Sequence, residues 1–324
     1  MKTLSALACA ALAASCAPAA KGPDRAFVSD EGADVVHVVD GANGAREGEL
    51  KTGRRPRGLV LSPDRSLLYV AASDSNRIEV WDARTLRHVG DLAAGSDPER
   101  LAISPDGRTL YVANEDRSSV GFIDAASGRV IREVPVGPEP EGIAVSPDGK
   151  GLIATSEVAS VAHVIDVASG HITANLPVGS RPREALFLKG GREAWVSSEQ
   201  RGTIAVIALR ERRVVRTIDL VAAFPELPIV QAVEMEASRD GRTVFVALGR
   251  GDGVAEIDAA THAVGRRYPT GHRTWGIALS PDGRRLYAAA GLSGTLTIVD
   301  LAHGGASKTI DLGGKPWTVE AAPR

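Results

Sequence analysis

Charged and aromatic side chains recur in this chain at two fixed repeat positions, and these are where binding or catalysis could occur. Five residues before a recurring Ser stand Arg57, Glu99, Glu141, Arg183, Val233, Trp275 and Trp317. A second position carries Ser73, Glu115, Glu157, Glu199, Gly249, Gly291 and Glu31. Both fall at one end of the predicted strands, so they share one face. Guanidinium groups match carboxylates in a bidentate way. The expectation is a site for a small, planar, anionic ligand: Trp275 and Trp317 offer stacking area, Arg57, Arg273 and Lys315 grip carboxylates, and Glu99, Glu115, Glu141, Glu157, Arg183 and Glu199 complete the rim. Two plainer readings compete. Surface charges of any fold form weak pairs of ~0–1 kcal/mol, and aromatic residues at strand starts often only cap packing interfaces.

Other chemistries find less. Calcium takes about 6–8 oxygens, and Glu115, Glu157 and Glu199 are weak candidate ligands. The seven histidines are dispersed without an H-x-x-x-H pair, and no G-x-S-x-G elbow occurs. His272 is the one histidine at the predicted mouth and the one candidate for lyase chemistry. A second set of charges, Arg100, Glu184, Glu234, Glu236 and Glu320, falls inside apolar strands, where an ionised group needs a partner or water. They face either a water-filled channel or a polar ligand site running down its axis.

The elements positioning these residues come from a repeat. Asp40, Asp82, Asp124 and Asp166 recur every 42 residues, Ala208 stands in next, and Asp258 and Asp300 follow after one longer interval of 50. The turn Ser104-Pro105-Asp106-Gly107 recurs on the same ruler. Within Glu99–Val136 the pattern is four short apolar strands divided by Pro, Asp, Asn and Gly turns, with no sustained helical period. A period of ~40–50 residues with four strands per unit specifies propeller blades. The first unit lacks a first strand, whereas Pro316–Ala321 aligns with Thr274–Leu279 and has no strands after it. The expectation is therefore all-β: a seven-bladed β-propeller of four-stranded antiparallel blades, closed by one C-terminal plus three N-terminal strands, over residues 26–324. The extra eight residues fall within Val221–Gln231, where Ala223–Ile229 reads as an apolar, Pro-stiffened lid or partner contact, or as a loop packed on the rim.

Residues 1–19 read as a secretory signal peptide, and 20–25 as a short leader. Ala17-Pro18-Ala19 suits signal peptidase, whereas Ala13-Ala14-Ser15-Cys16 suits a lipoprotein signal ending before Cys16, with an N-terminal lipid anchor. The protein is then periplasmic or extracellular, soluble or an outer-membrane lipoprotein. Both cysteines, Cys9 and Cys16, lie in this segment, so the remainder can form no disulfide or thiolate metal site. A formal net charge of −2 argues against a nucleic-acid partner, and no stretch suits a transmembrane segment.

The Leu-Tyr-Val-Ala-Asn, Ser-Pro-Asp-Gly and Val-x-x-Ile-Asp elements resemble the YVTN family of β-propeller repeats. More narrowly, Arg55-Pro56-Arg57-Gly58, Ala113–Asp116, Pro140-Glu141-Gly142, Ala154–Glu157, Trp195–Glu199 and Val246–Gly249 resemble propeller proteins associated with pyrroloquinoline quinone (PQQ)-dependent catabolism. Glu234 in place of a Gly and Ala289-Ala290 in place of Thr-Asn depart from that pattern. This resemblance implies a non-enzymatic periplasmic ligand-binding or scaffolding propeller, accessory to PQQ-dependent alcohol oxidation. PQQ or calcium would be possible ligands, and a periplasmic quinoprotein or transport component the partner. The alternative is a calcium-dependent hydrolase resembling the propeller lactonases, or a lyase, acting at the channel mouth.

Overall fold

The computed structural model describes residues 24–324. The expected signal peptide, residues 1–19, and the first residues of the expected leader lie outside the described residues. Seven four-stranded antiparallel sheets form a closed ring. Blade 2 is typical: Pro98–Ile103 innermost, then Thr109–Asn114, Ser119–Asp124 and Val130–Pro135 outward. Blade 7 is built from both chain regions, in the order Pro316–Pro323, Asp24–Asp30, Val35–Asp40, Arg46–Lys51. Its closing register pairs Ala26 with Ala321 and Val28 with Val319. Asp24 and Arg25, expected in the leader, belong to this strand. Asp24 is buried because Arg285 and Tyr287 of blade 6 both hydrogen-bond its carboxylate.

Local chemistry explains the monotony of the turns. In the Ser-Pro-Asp-Gly turn the Ser104 hydroxyl donates to Asp106 Oδ1 (2.6 Å), the Gly107 amide returns to the Ser104 carbonyl (2.8 Å), and Gly107 takes φ 73°. An Asx turn ends the third strand of every blade but the fourth, where Ala208 stands; in blade 2 Asp124 Oδ1 accepts from the Ser127 amide at 2.8 Å. These bonds hold Asp106 and Asp124 below the usual carboxylate range.

There is no central core. The buried apolar residues divide into separate clusters, each at the seam between adjacent blades, such as Phe27, Val36 and Val38 of blade 7 against Leu59, Leu68 and Val70 of blade 1. Middle strands are therefore apolar on both faces, while the outermost strand Ala306–Asp311 buries only Ile310. Inner strands converge tightly on the axis: a Cβ on Gly142 would sit 2.3 Å from the Arg183 carbonyl oxygen, and one on Gly276 2.2 Å from that of Trp317.

At the equivalent position Arg100, Glu184, Glu234 and Thr318 replace glycine and project into the axis. Arg100 of blade 2 reaches across to Glu184 of blade 4 (3.1 Å) and Glu234 of blade 5 (2.7 Å). Glu234 Oε2 also accepts from the Ile277 amide at 3.1 Å. The expected water-filled channel is thus crossed by a buried ion triad. Glu236 and Glu320 lie further along the axis, where burial pushes them up to about 8 and about 7.

The insertion forms a short helix, Leu220–Ala223, capped by Asp219. Phe224 and Val230 pack into the seam between blades 4 and 5, leaving Val221 and Ile229 exposed. Among the described residues no helix is long and apolar enough to cross a membrane.

Candidate functional site

In five of the seven blades the residue preceding the inner strand adopts a left-handed conformation: Arg55, Asp97, Glu139, Arg181 and Arg273 have φ of 50–59° without being glycine. Each costs roughly 1 kcal/mol. These turns aim charged side chains at the mouth of the ring, above the residues that begin the inner strands.

Opposite charges at the mouth mostly satisfy one another across blades. Arg57 meets Glu31 of blade 7 at 3.0 Å and Glu99 of blade 2 at 2.6 Å. Arg55 holds Asp97 (3.0 Å) and the other oxygen of Glu99 (2.7 Å). Arg183 binds Glu141 (2.9 Å), Glu157 and Glu199 (2.7 Å). The expectation that Arg57 grips a ligand carboxylate is therefore corrected, because its fork is already occupied.

Nor do the tryptophans offer open stacking faces: Trp275 is 1% exposed and Trp317 3%. Their rings pack against each other with centroids 4.9 Å apart and are covered by guanidiniums, Arg273 at 4.1 Å over Trp275 and Arg57 at 4.2 Å over Trp317. They support the arginines by cation–π contact, which is worth ~0.5–2 kcal/mol each. Lys315 is exposed and lines neither cavity described below; its backbone amide donates to Asp30 (2.7 Å). His272 is also exposed and pairs with Asp252 at 2.7 Å, which gives it no access to the mouth cavities.

Arg273 and Glu115 are among the mouth groups left without a counter-charge within the described residues. Arg273, half-buried against the tryptophans, makes no ion pair, and burial lowers its guanidinium from the usual value. Glu115 meets no cation. Its hydrogen bond to Glu99 opposes burial and the charges of Glu141 and Asp97, and the net effect raises its carboxyl above the usual value. Both line one polar cavity of about 230 Å3, together with Arg57, Glu141 and Arg183. Glu157 also lines it and is pushed up to about 7, chiefly by burial and Glu141. Arg181 (2.6 Å) and Arg183 each pair with one of its oxygens, so its charge is already countered.

The residues do not fit calcium. Glu115, Glu157 and Glu199 are not gathered as a ligand set. The acidic cluster that forms instead, Asp97, Glu99 and Glu115 within 4.8 Å, has Arg55 on two of its members and Arg57 on one. Two guanidiniums already occupy the place a dication would need.

A second cavity of about 310 Å3 adjoins the first and shares Arg273. Its walls are Glu199, Gln231, Arg250, Ile229 and Leu292. Arg250 and Leu292 were missed from the sequence, although each directly follows a residue of the second repeat position, Gly249 or Gly291.

A family model described as a seven-bladed β-propeller lactonase matches residues 19–174. No curated protein matches. Solved structures with this fold include the periplasmic gluconolactonase of Pseudomonas aeruginosa (24% identity, 93% of this chain and 99% of that one, TM-score 0.76). A Bacteroides fragilis protein provisionally described as a 6-phosphogluconolactonase is similar over 94% of this chain and 100% of its own (17% identity, TM-score 0.74). The Kuenenia stuttgartiensis hydrazine synthase shares the fold over 76% of each chain at 24% identity, with a TM-score of 0.67. At these identities the likeness establishes a seven-bladed propeller. The family match is to lactonases and not to PQQ-associated propellers, and this overturns the expectation of a non-enzymatic accessory to alcohol oxidation.

Proposed function

We propose that this propeller is a metal-independent hydrolase of lactones acting at the mouth of the ring. One observation carries the reading: a carboxylate without a cation, Glu115, and a guanidinium without an anion, Arg273, line the same polar cavity. Ester hydrolysis requires this complement, a base for water and a fixed positive charge for the oxyanion. The match of the first half of the chain to the lactonase family supports it.

In the reaction, Glu115 takes a proton from water as the oxygen attacks the lactone carbonyl carbon. The Arg273 guanidinium stabilises the oxyanion that forms. Collapse breaks the ring C–O bond, the protonated carboxyl of Glu115 returns its proton to the departing alkoxide, and the product is a hydroxy acid that ionises to its carboxylate. The saturated arginines hold the cavity polar and rigid, so little reorganisation accompanies charge development.

The test is lactone hydrolysis followed by proton release, starting with δ-valerolactone and glucono-δ-lactone. Glu115→Gln should lower kcat by about 10²–10⁴-fold and Arg273→Gln by about 10²–10³-fold. Because the base must be ionised, kcat/KM should rise with pH and level off above the raised value of Glu115. Full activity in Glu115→Gln refutes the assignment. Work outside the cytoplasm is part of the proposal, supported by the signal-like residues 1–19 and by the periplasmic gluconolactonase of the same fold.

A further inference from the structure

The cavity beside the reaction centre differs from it in character. Ile229 and Leu292, 45% and 65% exposed, form two apolar walls with no covering element. Arg250 and Arg273 supply two guanidiniums that meet no carboxylate among the described residues. Glu199 does not neutralise them, because its carboxylate accepts from Arg183 (2.7 Å) and from the Gln231 amide (2.9 Å). Gln231 in turn fixes this wall by accepting from the Arg250 backbone amide at 3.0 Å.

The insertion creates the arrangement. It supplies Ile229 to the cavity that Leu292 also lines, and the inner strand of blade 5 that follows it spans only Met235–Ala237. Arg273 borders both cavities, so a molecule whose carbonyl lies on Arg273 in the first has its substituent at the entrance of the second.

We propose that this second cavity is a substituent subsite, and that the preferred substrates are lactones carrying a short aliphatic chain rather than polyhydroxylated ones. A sugar ring would set hydroxyl groups against Ile229 and Leu292, which offer them no hydrogen bond. An alkyl chain removes both side chains from water, while Arg250 and Arg273 hold the carboxylate released by ring opening. The inference rests on the lactonase reading for its reaction but not for its binding.

Both are tested in one series on the full chain. In the first arm, kcat/KM is compared for δ-octanolactone, δ-valerolactone and glucono-δ-lactone. A methylene fully removed from water corresponds to about a four-fold factor. Three in a cavity open on one side should favour δ-octanolactone over δ-valerolactone by about ten-fold, with glucono-δ-lactone poorest. The double variant Ile229→Ser/Leu292→Ser should bring the ratio of the first two close to one. Both side chains are exposed, so thermal melting should show the variant folded.

In the second arm, calorimetry compares binding of 5-hydroxyoctanoate and 5-hydroxypentanoate, the two products. The longer acid should bind about ten-fold more tightly, and Arg250→Gln should weaken both. If no lactone turns over yet the longer acid keeps its advantage, the catalytic reading fails and the subsite stands. Equal binding of the two acids, or a preference unchanged in the double variant, overturns the subsite whatever the turnover.

Discussion

Replacing Arg100 with Met tests whether the ion triad across the axis holds the ring together. The substitution keeps length and apolar stem but leaves Glu184 and Glu234 facing each other without a cation. Removing one partner of a buried ion pair costs roughly 3–5 kcal/mol. The lower end applies, because Glu234 keeps the Ile277 amide (3.1 Å) and Glu184 the amide of Ala185 (3.1 Å). For a domain of this size about 3 kcal/mol corresponds to a fall in Tm of about 6 °C.

The loss must also depend on pH. Burial already pushes Glu184 up to about 7 against the pull of Arg100, and without Arg100 it rises further. A carboxyl raised in the folded state binds more protons there than in the unfolded chain, so stability falls as pH rises through that range. Calorimetric melting should therefore show a larger deficit at pH 8 than at pH 5, where Glu184 is neutral. Adding Glu184→Gln and Glu234→Gln to the variant should recover most of the loss at pH 8. An equal deficit at both pH values, or one under about 1 kcal/mol, would show that the triad does not act as an ionic cross-link.

Glu236, pushed up to about 8 by burial and then by Glu320 and Glu234, should make the native protein lose stability between about pH 4.5 and 8. Urea unfolding across that range should show a shallower slope for Glu236→Gln, and an unchanged slope counts against it. Gly276→Ala forces a methyl to within 2.2 Å of the Trp317 carbonyl oxygen, so Tm should fall by the equivalent of ~1–3 kcal/mol or more. Tyr287→Phe leaves the buried carboxylate of Asp24 one donor short, and hydrogen exchange in Asp24–Asp30 should quicken while the strands of blade 3 stay protected.

The architecture was readable because its determinants are local and periodic. Most blades repeat the turn chemistry seen at Ser104 or Asp124, so a ruler laid along the chain finds the blades, including blade 4 where Ala208 stands in, and the missing strand. The mouth was readable only as an inventory. Arg57 and Glu99 were visible as opposite charges on neighbouring blades, but whether they pair or wait for a ligand depends on distances that no linear spacing encodes. Arg100 was visible as a charge in an apolar strand; its partners lie two and three blades away across the axis, 84 and 134 residues along the chain. The second cavity escaped because Arg250 and Leu292 stand one residue beyond the repeat positions that were read, and nothing in the linear sequence shows that they meet Ile229 of the insertion.

Ser29 and Thr318 bond to each other across 289 residues of sequence. The strands Asp24–Asp30, Val35–Asp40 and Arg46–Lys51 therefore cannot complete their sheet until Pro316–Pro323 has been made, and the ring closes only then. Loss of Pro316–Pro323 would strip the inner strand from the blade whose other strands lie between Asp24 and Lys51, at the far end of the described sequence.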